Sequence, residues 1–145
     1  MIKHDRIYTS HLGVYALITN NNKILLIKKN RGPYEGLLDL PGGSLEKHES
    51  IEEALMREIK EEIGTDILSY TQLSAFSTFF NYHQNNKPHT LRHIAILYKV
   101  IINNDKVKYD HEGEDSDGCV WLNKNNINAE IVSPIVSEAL KFSIF

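Results

Sequence analysis

The chain has 145 residues, 41% hydrophobic and 24% charged, which is the composition of a folded domain and not of a disordered segment. Its 16 Lys+Arg against 19 Asp+Glu leave a formal net charge of −3. That balance argues against a protein that coats nucleic acid through phosphate contacts, though a metal ion can still recruit a small phosphorylated substrate.

One domain over residues 1–145 is expected, with no linker and no internal repeat. The single Cys119 excludes an internal disulfide and fits a reducing compartment. No apolar run is long enough to span a bilayer, and no apolar core of a signal peptide follows Met1 to Arg6. A cytoplasmic location without a membrane partner is the expectation.

Residues 12–19 are β-rich and mostly apolar, and predict a strand. Asn20-Asn21-Asn22 follows, and asparagine tolerates the positive φ of a tight hairpin, so residues 23–28 are the expected return strand. Asn30-Arg31-Gly32-Pro33 is a turn. Residues 37–40 predict a short strand stopped by Pro41-Gly42-Gly43. Ser50 with Glu53 three residues later is a capping-box signature. Ile51, Leu55, Ile59 and Ile63 recur every four residues, joined by Ala54, so a helix of about 13 residues is predicted. Gly64 stands where a terminal glycine belongs.

Residues 73–80 and 94–102 predict two strands, separated by the polar Gln84-Asn85-Asn86-Lys87-Pro88. Residues 109–117 read as an acidic loop and residues 119–122 as a short strand. Ser133-Pro134 predicts a second helix start, with Ile135, Ala139 and Phe142 as its apolar face, widened by Val136 and Leu140. The element pattern points to an α+β fold.

The polar side of the first helix carries the chemistry. Glu58, Glu61 and Glu62 stand at i, i+3 and i+4, so their Cβ atoms lie about 5–6 Å apart on one face. Like charges repel at that spacing, and hard divalent cations prefer carboxylate oxygens. A bound ion would turn the repulsion into coordination. Alone, such a run reads as a solvated acidic face. Its surroundings change the reading. Gly43, Glu49, Arg57, Glu58, Glu61, Glu62 and Gly64 match all seven fixed positions of the Nudix box. Chance agreement at ordinary residue usage is on the order of 10⁻⁹ to 10⁻⁸ per starting point. The chain therefore resembles the Nudix hydrolases. Thr65 departs from the bulky aliphatic residue that usually ends the box, and a β-branched residue can pack there. The box covers residues 43–65; Leu38-Asp39-Leu40-Pro41-Gly42-Gly43 and Trp121 extend the likeness more loosely.

The resemblance implies an α/β/α sandwich around a mixed β-sheet. It implies hydrolysis of a nucleoside diphosphate linked to another moiety, with Mg²⁺, or Mn²⁺ in its place. A small-molecule nucleotide is the expected partner, a nucleoside triphosphate or dinucleoside polyphosphate first. Glu58 and Glu62 are the implied metal ligands, Glu61 a third ligand or the base, and the Gly43 carbonyl a backbone ligand. Glu49 and Arg57 are implied to pair and hold the loop against the helix. A further acid is implied in the loop before the last strand, Glu114 first and Glu112 second, as an alternative base.

Lys28, Lys29 and Arg31 are candidates to meet phosphates. Tyr82, 17 residues after Thr65, resembles the tyrosine of the dinucleoside polyphosphate hydrolases and would stack on a base. The proline that marks the ADP-ribose subgroup is absent, since Phe80 and Asn81 stand there, and no coenzyme A motif is present. His83, His89 and His93 fit no metal pattern and read as scattered strand or loop histidines; Cys119 reads as a small core residue. The alternative is a catalytically silent nucleotide-sensing domain, which the complete set of box carboxylates disfavours. Cleavage at an RNA 5′ end meets an unhelpful net charge. The oligomeric state, a homodimer included, is left open.

Overall fold

Strand β1 (Ile7–Leu17) distributes its buried residues to two sides. Val14 and Ala16 join one apolar cluster, and Tyr15 and Leu17 the other. Strand β3 (Lys23–Lys29) divides likewise, Leu25 and Ile27 one way, Ile24 and Leu26 the other. Strands buried on both faces need a cover on each. Helix α1 (Ile51–Ile63) supplies Ala54, Leu55, Ile59 and Ile63 to the first cluster, and helix α2 (Pro134–Ala139) supplies Ile135, Val136 and Ala139 to the second. The computed structural model describes residues 5–110 and 116–143, and within them the arrangement is the expected α/β/α sandwich.

The layer between the helices holds two four-stranded sheets. One has the order β5-β1-β7-β6, with β5 (Gly42–Ser44), β6 (Ile67–Gln84) and β7 (Lys87–Ile102). In the other, β3 lies between β4 (Leu38–Asp39) and β8 (Ser116–Asn123) and also pairs with β2 (Thr19–Asn20). The first sheet is mixed: β1 runs parallel to β7 and antiparallel to β5. The parallel register sets Ile7 opposite His89 and His11 opposite His93. It brings together residues about 80 positions apart, and it builds much of the site.

Local signals account for the hairpins. Asn21 has φ 55°, and the turn joining β6 to β7 has Asn85 at φ 53° and Asn86 at φ 60°. Two positive-φ central residues match the right-handed twist of the flanking strands. The capping box of α1 is complete: Ser50 Oγ accepts from Glu53 N at 3.1 Å, and Glu53 Oε1 accepts from Ser50 N at 2.9 Å. Gly64 closes the helix at φ 80°, where only glycine is unstrained.

Two expectations change. The strands run longer than predicted, because β6 and β7 stay paired out to their turn, from Asn81 opposite Thr90 to Gln84 opposite Lys87, where a mostly polar sequence carries little hydrophobic signal. Gly42 and Gly43 do more than stop a strand: they pair with Tyr15 and Val14 as β5. Thr65 is buried, so the one departure from the box is packed inside. Among the described residues, no helix is long and apolar enough to cross a membrane.

Candidate active site

The β5 edge and one face of α1 meet at two glycines. Gly42 N–H donates to Glu62 Oε1 at 2.7 Å. Gly43 stands so close to the next carboxylate that a Cβ there would lie 2.7 Å from Glu58 Oε1. Glycine permits this approach of backbone to side chain. The three carboxylates differ in depth. Glu62 is buried at 4% exposure, the Glu58 side chain is 15% exposed, and the Glu61 side chain lies at the rim with 56%.

Arg57 ties this face together. Its Nε and Nη2 donate to Glu49 Oε2 and Oε1 at 2.6 and 2.8 Å, a two-pronged ion pair of the strong kind. Nη2 also donates to the Ser44 carbonyl at 2.9 Å, which joins β5 to the loop before the helix. Nη1 donates to Glu58 Oε1 at 3.0 Å and to Glu61 Oε2 at 3.3 Å. The Arg57 hydrogen bonds, with the Glu46 N–H, hold the Glu49 carboxyl down at about 2. Arg57 is pushed upward in turn by the same partner.

A sign follows for pH. A carboxyl held below its ordinary 4.5 stabilises the fold above that value and loses the contribution as pH falls towards 2. The melting-temperature gap between wild type and Glu49→Gln should stay constant at neutral pH and close between pH 4.5 and 2. A gap that persists at pH 2 would show that the Glu49 charge is not what holds the loop.

Beside the glycines opens a cavity of about 400 Å³. Gly43, Glu58, Lys29 and Arg31 line it. So do the rings of His11, Tyr15, Tyr34 and His93. His93, buried at 2% exposure, lies between two tyrosines. Tyr15 Oη is 2.6 Å from its Nε2 and Tyr34 Oη is 2.8 Å from its Nδ1. The Tyr34 ring stacks on the imidazole at 17°, and His11 meets it edge-on at 5.0 Å. Burial, with His11 and Lys29 nearby, pushes His93 down to about 3, so the ring is neutral at pH 7. Burial raises both tyrosine hydroxyls, which stay protonated. Asp39 also lines this cavity; its Oδ1 accepts from Leu40 N at 2.9 Å and from Ser133 Oγ at 2.6 Å, which anchors β4 to the cap of α2.

Gly43, Glu58, Lys29 and Arg31 thus share one cavity, with Glu62 behind the glycines and Glu61 at the rim. Lys28 is exposed and does not line it. Tyr82 is not at the cavity either. It stacks on His89 at 4.9 Å and on Phe80 at 6.2 Å, level with Ile7 in the register. The lining reaches Leu91, which pairs with Phe80 and Thr9, two residues along from the Tyr82–His89 pair. Glu112 and Glu114 lie outside the described residues. Cys119 is buried in the core with its thiol pushed up to about 11, unsuited to a nucleophile. The residues that sequence reasoning missed are His11, Tyr15, Tyr34, Asp39 and His93. They share no local motif; strand pairing assembles them.

The chain matches the NUDIX domain family over residues 9–139 and belongs to that family. Among relatives, the nucleoside triphosphatase NudI of Escherichia coli is 33% identical over 109 residues, 70% of this chain and 76% of that one. The ADP-ribose pyrophosphatase of Methanocaldococcus jannaschii is 47% identical over 64 residues, 43% of this chain. The enzyme of that name from Bacillus subtilis is 37% identical over 71 residues, 47% of this chain. The matched stretch spans 38% of the length of each of these two. The crystal structure of a MutT NUDIX hydrolase from Burkholderia pseudomallei shares the fold at a TM-score of 0.67 and 23% identity, covering 93% of this chain and 98% of that one.

Proposed function

We propose that this chain hydrolyses the pyrophosphate linkage of a nucleoside diphosphate joined to another moiety, with a nucleoside triphosphate as substrate and Mg²⁺, or Mn²⁺, as cofactor. One observation carries the reading: the Glu58 and Glu62 carboxylates are set against the Gly43 and Gly42 backbone, beside a cavity that also bears Lys29 and Arg31.

The donor set fits a hard divalent cation, since carboxylate and carbonyl oxygens are what such ions prefer. Glu58, Glu62 and the Gly43 carbonyl would hold it, with Glu61 as third ligand or base and Glu114 as the alternative base. Among the described residues, no three His, Cys, Asp or Glu side chains stand as a ready-made cation site. Arg57 Nη1 bonds both Glu58 and Glu61. Loading would release those two bonds, while Nε and Nη2 keep Glu49 and Ser44 in place. When bound, the ion neutralises phosphate charge and polarises the attacking water. Lys29 and Arg31 attract the remaining phosphates, and Glu61 or Glu114 takes the proton from the water.

Two observations favour a triphosphate. The likeness to the E. coli nucleoside triphosphatase runs over 109 residues, against 64 for the archaeal ADP-ribose enzyme. Tyr82, the residue that pointed to dinucleoside polyphosphates, lies off the cavity. The test is phosphate or pyrophosphate release with Mg²⁺ from nucleoside triphosphates, dinucleoside polyphosphates, nucleotide sugars and ADP-ribose. A nucleoside triphosphate should give the highest kcat/KM, and a chelator should abolish it. No metal-dependent release from any of them would overturn the reading in favour of a silent nucleotide-binding domain.

A further inference from the structure

We propose that residues 74–84 of strand β6 are a homodimer interface: this edge pairs antiparallel with the same edge of a second copy of the chain, across a two-fold axis near Phe79. The two sheets then continue as one, β5-β1-β7-β6 followed by the partner's strands in reverse order. The pairing is independent of the activity proposed above.

Strand β6 is the outer strand of its sheet, and among the described residues only β7 pairs with it. An outer strand presents a row of N–H and C=O groups that another strand can pair with. Folded chains guard such rows with charges, prolines, bulges or brevity. The first part of β6 is guarded by irregularities at Ile67/Ser69 and at Gln72/Ser74. From Ser74 opposite Leu97 to Gln84 opposite Lys87 the register runs unbroken. That stretch holds no Asp, Glu, Lys, Arg or Pro, and it carries Phe76, Phe79, Phe80 and Tyr82, residues that favour strands. The cation beside it leans away: Arg92, opposite Phe79, donates from Nε to Ser10 Oγ of β1 at 3.0 Å. The edge at the other end of the sheet is different, since β5 is only three residues long and Arg57 holds its Ser44 carbonyl.

The side chains favour a second copy over a foreign strand, because the edge has no charge with which to select one. On one face Phe76, Phe80 and Tyr82 pack half-buried against the second core cluster. On the other face Ala75, Ser77, Phe79, Asn81 and His83 are exposed, Phe79 at 67%. An antiparallel two-fold sets each face beside its own like, so uncharged meets uncharged and aromatic meets aromatic. With the axis at any residue from Thr78 to Phe80, Phe79 falls opposite or diagonal to the partner's Phe79, about 4.5–8 Å away and within aromatic reach. Phe79 thereby gains cover that its own chain does not provide. At about 3.4 Å per residue the stretch is about 37 Å long, and a sheet about 10 Å thick makes the contact roughly 400 Å² per partner. That is about half of a standard stable interface, so the dimer is concentration-dependent, with a Kd of about 10–100 µM.

Sedimentation equilibrium from about a tenth of that Kd to about ten times it is the test. Wild type should pass from monomer to dimer and go no further, because the two-fold uses up the edge. Phe79→Lys should weaken the dimer about tenfold or more, since the two added charges face each other across the axis. Its melting temperature at the lowest concentration should match that of wild type, because Phe79 is exposed. Ser77→Lys, also at an exposed position, should act in the same way and serves if Phe79→Lys does not fold. Amide hydrogen exchange in wild type needs no variant: the outward amides of residues 74–84 should exchange more slowly as concentration rises, while those of β8 stay constant. Three results would each overturn the proposal: a wild type that stays monomeric throughout, a dimer that both lysine variants form as tightly, or exchange along β6 that ignores concentration. The first of them would leave the edge to an extended segment of another protein.

Discussion

Glu62→Gln should lower the turnover of a nucleoside triphosphate by about 10³-fold or more while the protein stays folded. The magnitude corresponds to roughly 4 kcal/mol of transition-state stabilisation, within the several kcal/mol that a metal clamp on phosphate supplies. The fold survives because glutamine keeps what the structure uses. Glu62 Oε1 accepts from Gly42 N–H at 2.7 Å, and an amide oxygen accepts from the same donor. What is lost is charge. In the absence of metal that charge is a burden, since Glu58 lies one turn away on the same helix face and Glu61 is the adjacent residue. The melting temperature of Glu62→Gln in chelator should therefore equal or exceed that of wild type. Near-normal turnover would reduce Glu62 to a cap for the β5 backbone. Glu62→Ala makes the contrast, because it removes the acceptor as well and leaves the half-buried Gly42 N–H without it.

The pair of results on Glu62 marks where sequence reasoning is strong. Helix α1, its capping box and its terminal Gly64 follow from signals within 15 residues, so they are legible without any tertiary information. Spacing on one helix also places Glu58, Glu61 and Glu62 together. Depth is a different matter. Nothing in the run of residues separates the buried Glu62 from the rim position of Glu61, because that depends on where β5 lies against the helix. The aromatic lining of the cavity is further from reach. His93 meets Tyr15 from 78 residues away through a parallel register that no local pattern encodes, and Tyr34 from 59. Tyr82 shows the reverse error. Its distance along the chain from the box suits a base, but the β6–β7 ribbon carries it past the cavity to the level of Ile7.

Gly42→Ala and Gly43→Ala should fail for different reasons, although they are adjacent and add the same methyl group. At Gly42, φ is 141°, and a Cβ would run into the Val14 carbonyl and lie 2.7 Å from the Tyr15 Cα. Both are backbone atoms of the partner strand, so relief requires breaking the pairing of Tyr15 with Gly42. Backbone strain and overpacking together should cost about 3 kcal/mol or more, and Gly42→Ala should melt well below wild type. At Gly43 the nearest atoms are Glu58 Oε1 at 2.7 Å and Cδ at 2.9 Å, the end of a flexible side chain. Glu58 can turn aside without disturbing the sheet, so Gly43→Ala should melt close to wild type. The displaced carboxylate is one of the proposed metal ligands, so the metal concentration for half-maximal activity should rise by about 10–100-fold. Titration of Mg²⁺ against activity, run beside thermal melts of both variants, tests the two together. If Gly43→Ala melts normally and also binds metal normally, Glu58 is no ligand, and the proposed site must be rebuilt around Glu61 and Glu62. If both variants melt early, the glycines serve the β1–β5 contact alone, and the close approach of Gly43 to Glu58 has no bearing on metal binding.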